Sequence, residues 1–184
     1  CEGMSREKDE KILMLLSNPE TKDEGFTIMM DTYKERIYWY VRRLVVSHED
    51  AEDVLQETFL NAYRFMDSFR GHSGIYTWLY KIAGNECVAL FRRNKKKDIK
   101  TEEISLELIN KLVSGEMENS EAILIKFQEA ILRLPEKQRM VFNLRYYDEL
   151  SYEEMSEVLG SSVNTLKTNY HYATEKIKTY FQNQ

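Results

Sequence analysis

Few residues in this 184-residue chain stand where covalent chemistry could be done. His48, His72 and His171 lie far apart, with no partner at a catalytic or ligand spacing. No phosphate-cradling glycine loop, nucleophile elbow or zinc spacing occurs. The carboxylates Glu49, Asp50, Glu52, Asp53 and Glu57 come closest to a metal-binding set. No histidine follows three or four residues on to complete it, so solvation and the attraction of acids to a helix N-terminus explain the run better. Cys1 and Cys87 form neither a disulfide framework nor a metal spacing. No catalytic, cofactor-binding or metal residue is assigned, and no cofactor is expected.

What remains is recognition chemistry, and two stretches carry it. Phe69, Arg70, His72, Tyr76, Trp78, Tyr80, Lys81, Phe91, Arg92 and Arg93 interleave rings with cations. Binding of single-stranded nucleic acid needs this pairing, with cations following phosphates and rings stacking on unpaired bases. Trp78 shares an apolar stripe with Leu79 and Ile82 and is expected in the core. The second stretch, from Leu150 to Phe181, starts with Ser151 and Glu154 at capping-box spacing. Tyr152, Met155, Val158 and Leu159 then share one side of a short helix, and Gly160 permits a tight turn. Ser161 or Ser162 can cap a longer helix whose inward residues are Val163, Leu166, Tyr170, Ala173, Ile177 and Phe181. Its outer face shows Asn164, Thr165, Lys167, Thr168, Asn169, His171 and Tyr172. This is the helix-turn-helix pattern, whose second helix enters the DNA major groove. An ordinary helical hairpin with a solvated face is the alternative reading of that stretch.

Helices must position both stretches. Seven glycines and two prolines, with no long alternating apolar run, predict an all-α fold. Residues 1–25 form a charged extension with a short leading helix ending before Pro19, and Cys1-Glu2-Gly3 reads as an addition ahead of a native start at Met4. Phe26 to Val46 repeats apolar residues at helical spacing. A second long helix, capped by Ser47, turns Ala51, Val54, Leu55, Thr58, Phe59, Ala62, Phe65, Met66 and Phe69 inward. A loop with two glycines follows, and then a third helix with Ile75, Trp78, Leu79, Ile82, Glu86 and Ala89 inward. Residues 26–97 make one domain on this reading. Residues 98–120 are an acidic linker holding a short helix around Leu106 to Val113. Residues 121–184 make a second domain, with a helix presenting Ala122, Ile123, Phe127, Ala130, Ile131 and Leu134, another from Glu136 to Tyr146, and the helix-turn-helix.

Charge is polarised along this layout. The net charge is −5, yet residues 70–100 hold eight basic against two acidic side chains, and residues 49–57 hold five acids and no base. Such a chain suits two partners, one polyanionic and one basic. No apolar run approaches the ~18 residues of a membrane span and no signal peptide is evident, so a cytoplasmic protein without membrane insertion is expected.

The segment DAEDVLQETFLNAYRFMDSFRGHSGIYTWLYKIAGNECVALFRR, Asp50 to Arg93, closely resembles the core-binding and promoter-melting region of bacterial RNA polymerase sigma factors of the extracytoplasmic-function (ECF) group. LPEKQRMVFNLRYYDELSYEEMSEVLGSSVNTLKT, from Leu134, resembles the same family's promoter-recognition domain. Both blocks stand in family order, and together the resemblance spans Phe26 to Tyr180. It implies a non-catalytic transcription initiation factor made of two small helical domains. Asp50, Asp53, Gln56 and Glu57 would dock on the clamp helices of the largest subunit of core RNA polymerase. Phe69, Arg70, Gly71, His72 and Ser73 would capture a flipped base of the minus-10 element, with Lys81, Arg92 and Arg93 on the same DNA. Thr165, Lys167, Thr168, Asn169, His171 and Tyr172 would face the minus-35 element. Core polymerase and promoter DNA are the implied partners, and an anti-sigma factor is the further partner the family admits. Family members commonly carry arginine where this chain has Asn169 and Tyr172, so the promoter sequence does not carry over. A stand-alone helix-turn-helix regulator would need no acidic docking face, and a protein-binding adaptor would leave the basic run idle.

Overall fold

Apolar residues recurring three or four apart drive one helix after another in this chain, and its computed structural model describes residues 2–45, 47–69, 74–96 and 119–183. Helix α1 (Glu2–Ser17) stops ahead of Pro19 and buries Ile12. Helix α2 (Lys22–Leu44) turns Met29, Tyr33, Ile37, Tyr40, Val41 and Leu44 into the core. It begins a turn before Phe26, with Asp23 and Glu24 at its positive end. Gly25 lets α1 approach, since a Cβ there would lie 2.8 Å from Leu15 Cβ.

Helix α3 (His48–Arg64) is capped by Ser47, whose Oγ accepts from the Asp50 amide at 3.1 Å. Ala51, Val54, Thr58, Phe59 and Ala62 are buried as the periodicity predicts. The helix ends earlier than expected. Phe65 leaves helical geometry and is 59% exposed rather than inward, and a 3-10 turn at Met66–Ser68 returns Met66 to the core. Once the backbone departs from 3.6 residues per turn, the extrapolated stripe no longer sets direction.

Helix α4 (Ile75–Lys96) is buried on more than the predicted stripe. Ile75, Leu79 and Ala83 are inside, but so are Tyr80 and Cys87, while Trp78, Ile82, Glu86 and Ala89 are only half-buried. One side meets α3, where Asn61 Nδ2 donates to Glu86 Oε1 at 2.6 Å. Another side meets the C-terminal half.

That half comprises α5 (Asn119–Leu132), α6 (Glu136–Tyr146), α7 (Tyr152–Leu159) and α8 (Val163–Gln182). Ala122 and Ile123 of α5 are exposed rather than inward, because its apolar packing begins at Phe127. The predicted linker helix around Leu106 to Val113 lies outside the described residues. Ser151 and Glu154 form the expected capping box, Gly160 caps α7 at φ 71°, and Ser162 caps α8. Val163, Leu166, Tyr170, Ala173, Ile177 and Phe181 are buried or half-buried along α8 as expected.

Two apolar clusters hold the molecule together. The smaller joins Ala130, Ile131, Leu134, Phe142, Ala173 and Ile177. The larger runs from Ile12 and Tyr40 through Leu79 to Met140, Leu144, Met155 and Leu166, so both domains share it. Replacing Ser151 by alanine should remove one capping partner and lower stability by about 1 kcal/mol, read by urea unfolding. Asn61→Leu should leave half-buried Glu86 without its donor and cost about 1 kcal/mol in the same assay.

Candidate protein-docking and nucleic-acid interfaces

Helix periodicity places Asp53, Gln56, Glu57 and Leu60 on one outer stripe of α3. All four are exposed, Leu60 by 46%, and Asp50 is half-buried at the capped end. Among the described residues no cation pairs with Asp53 or Glu57. Glu52 is approached by His48 Nε2 at 3.9 Å, and Tyr38 Oη lies 2.6 Å from His48 Nδ1. The stripe is an uncompensated negative strip with an apolar end, suited to a basic protein surface. The sequence reading missed Leu60, although its position one turn beyond Gln56 and Glu57 could have marked it.

Arg70, Gly71, His72 and Ser73 lie outside the described residues. Phe69, at their edge, is half-buried with its ring centroid 4.9 Å from that of Trp78. Trp78 is thus only partly in the core. Lys81, Arg92 and Arg93 are exposed on α4. The helix therefore presents cations on its outer side with an aromatic pair near its N-terminus.

On α8, Thr165, Lys167, Thr168, His171 and Tyr172 are exposed, while Asn169 is half-buried at the edge of the outer face. Thr165 is tied into the cap, its amide donating to Ser162 Oγ at 3.2 Å. Thr168 Oγ1 donates to the Asn164 carbonyl at 3.0 Å. Lys167 Nζ lies 5.6 Å from the centre of the Tyr152 ring, and the Arg145 guanidinium lies 5.0 Å from the same ring. Arg145 Nη1 also donates to the Leu150 carbonyl at 2.9 Å, holding the α6–α7 loop. Neither Arg145 nor Tyr152 was singled out as part of this face, because the first precedes the motif and the second reads as core.

A third constellation was invisible in the sequence. Tyr80 Oη of α4 donates to Asp148 Oδ1 at 2.8 Å and accepts from Arg36 Nε at 3.1 Å. Arg43 Nη1 stands 3.7 Å from the same carboxylate oxygen, which belongs to a side chain only 6% exposed. Burial raises the Asp148 pKa above the usual carboxylate range, although the Tyr80 hydrogen bond and Arg43 oppose it. Burial likewise pushes the Cys87 thiol up to about 12, against the pull of Arg139. These groups lie between the two domains, and Tyr80, one of the rings of the first stretch, is buried there. Among the described residues no cluster of three or more histidine, cysteine or acidic side chains could hold a metal, and no helix is long and apolar enough to cross a membrane.

Residues 29–97 match the family Sigma-70 region 2, and residues 124–177 match Sigma-70, region 4. The chain is 33% identical over 164 residues to the ECF RNA polymerase sigma factor SigW of Bacillus subtilis (strain 168), covering 84% of this chain and 88% of that protein. It is 35% identical over 172 residues to the ECF RNA polymerase sigma-E factor of Escherichia coli (strain K12), covering 86% and 87%. The fold is that of CnrH in its complex with the cytosolic domain of CnrY, with TM-score 0.70, 18% identity and 96% and 99% coverage. It is also that of the sigma factor RpoE of Bartonella quintana in complex with the anti-sigma factor NepR, with TM-score 0.68, 20% identity and 86% and 98% coverage. Two region matches in order, with relatives of this identity along most of their length, establish that the chain belongs to the RNA polymerase sigma factors of the ECF group.

Proposed function

We propose that this sigma factor divides initiation among three faces, with functional units at residues 26–97 and 121–184 and residues 98–120 as the linker. The observation that carries this reading is the exposed, uncompensated acidic stripe of α3, standing apart from the polar face of α8. Asp50, Asp53, Gln56 and Glu57 dock on the clamp helices of the polymerase's largest subunit, and Leu60 extends that contact. A basic partner turns the mutual repulsion of these acids into attraction.

Phe69 to Ser73 capture one base extruded from the minus-10 duplex. Unstacking is least costly at flexible steps, so this selects easily melted sequence. Lys81, Arg92 and Arg93 hold phosphates of the opened strand. Thr165, Lys167, Thr168, Asn169, His171 and Tyr172 face the minus-35 major groove, where asparagine suits adenine and lysine suits a phosphate or a guanine edge. The factor has no reaction of its own; its work is differential binding of polymerase and promoter. Both partners place it in the cytoplasm. CnrH and RpoE were each solved with a bound protein, and we infer an anti-sigma regulator for this chain as well.

Reversing Asp53 and Glu57 together to lysine should abolish binding to core polymerase while changing stability by no more than about 0.5 kcal/mol, because both are exposed. Wild-type affinity in a pull-down titration would move the docking face elsewhere. Residues 162–184 hold three lysines against one glutamate, so the recognition helix has few cations for phosphate. Asn169→Ala should accordingly shift preference at one base position more than overall affinity, as read by selection from a promoter library with the holoenzyme. An unchanged consensus would remove Asn169 from base reading.

A further inference from the structure

Phe65, at the end of α3, is a ring that the helical period turns inward and the structure turns out. Among the described residues no aromatic side chain is more exposed, at 59%. The exposure is built into the backbone. The Phe65 amide closes α3 on the Asn61 carbonyl at 2.9 Å, and its own carbonyl accepts from the Ser68 amide at 3.0 Å and from Ser68 Oγ at 2.6 Å. Met66 is anchored in the core beside it, and Lys22 Nζ, 3.7 Å from Asp67 Oδ1, ties the same turn to α2. With the turn fixed at both ends, the ring is held toward solvent. Phenylalanine has no polar atom to hydrate, so displaying it in this way adds nothing to the stability of the free chain.

Charge and position say what covers it. The sign of α3 changes along its length: residues 49–57 hold five acids and no base, whereas the only charged side chain in residues 58–66 is Arg64. Arg64 is exposed, and among the described residues no acid pairs with it. A basic protein surface that suits Asp53 and Glu57 is repelled by Arg64, whereas a polyanion is attracted. A ring beside an unpaired cation is the combination that holds an unpaired base together with its phosphate. The turn also sets the distance to the neighbouring aromatic pair. A 3-10 turn rises about 2.0 Å per residue, which puts Phe65 roughly 8 Å ahead of Phe69 along the chain. The Phe69 ring, 4.9 Å from that of Trp78, stands at the edge of the loop assigned to the extruded base. Bases follow one another about every 3.4 Å along a strand, so the separation is roughly two nucleotides.

We propose that Arg64 and Phe65 form a second holding point for the opened minus-10 strand, with Phe65 stacked on an unpaired base about two nucleotides from the extruded one and Arg64 on the adjoining phosphate. This rests on the assignment of Phe69 to Ser73 to the extruded base, which sets the path of the strand. A stacked base is withheld from its complement, so the contact favours the open state. It does so with little regard to base identity, because every base offers a π face. The pair therefore supports melting rather than sequence choice.

The test uses holoenzyme assembled on core polymerase and a single-stranded oligonucleotide carrying the minus-10 element that promoter-library selection returns. Phe65→Ala should weaken binding of that strand about tenfold, and Phe65→Trp should retain it. Phe65→Leu, apolar but without a π face, should behave as the alanine variant does. Core-polymerase affinity and urea unfolding should match wild type in all three. Abasic substitution then locates the contact. Removing one base and removing the Phe65 ring should be non-additive at a single position, and His72→Ala should be non-additive with a different position about two nucleotides away. Arg64→Gln should reduce the slope of log affinity against log salt by about 0.7, the share of one phosphate on a single strand. Wild-type strand affinity in Phe65→Ala overturns the proposal, as does full retention by Phe65→Leu or coupling spread evenly over all positions. A loss of core-polymerase affinity also overturns it and assigns the ring to the protein interface. If Phe65 couples to one base while His72 couples to none, the second holding point stands and the assignment of the loop falls.

Discussion

Helix α4 is held from two sides, and the rest of the molecule is arranged around that double burial. Against α3 it makes the Asn61–Glu86 hydrogen bond, and its Leu79 and Ala83 share one apolar cluster with Phe59 and Ala62. Against the C-terminal domain it places Tyr80 and Cys87, side chains that a helix with only one covered face would expose. The burial of apolar surface on both sides is the large favourable term. The polar cluster at Asp148 adds direction to it rather than much net energy, since the carboxylate loses hydration that Tyr80 and Arg43 replace only in part.

The proposed recognition faces are what this core leaves over. Asp53 and Glu57 stand without cations among the described residues, and the outer face of α8 keeps side-chain groups directed at solvent. Neither arrangement stabilises the free chain. Both are the form a surface takes when its complement is supplied by another molecule, because a group already paired within the fold would have to break that pairing before it could bind. The short bonds of Thr165 and Thr168 to their own helix show the limited exception, where local capping orders a recognition residue without consuming the face.

The residues proposed to face the minus-35 element all reside on one helix, and this sets how they can be tuned. On α8, Leu166, Ala173 and Ile177 fix the rotation of the helix, so the identity of the residue at Asn169 or Tyr172 can change without disturbing the scaffold.

Much of this was legible from the residues alone. Periodicity assigned helices to the described segments, and the capping box at Ser151, the left-handed Gly160 and the inward stripe of α8 stand where local spacing put them. The acidic stripe and the polar face of α8 were legible for the same reason: helical geometry maps sequence spacing onto surface position without reference to distant residues. The end of α3 was not, because the 3-10 turn at Met66 breaks the period that the extrapolation relied on. The second buried side of α4 was hidden too, since Tyr80 and Cys87 lie off its main apolar stripe and Tyr80 is covered by residues as distant in the chain as Tyr40 and Asp148. Sequence by itself determined the helices, their caps and their outward chemistry, which depend on neighbours within a turn or two. Only tertiary structure decided that both domains share one core and that Asp148 meets Tyr80, because those contacts join segments whose spacing carries no record of their meeting.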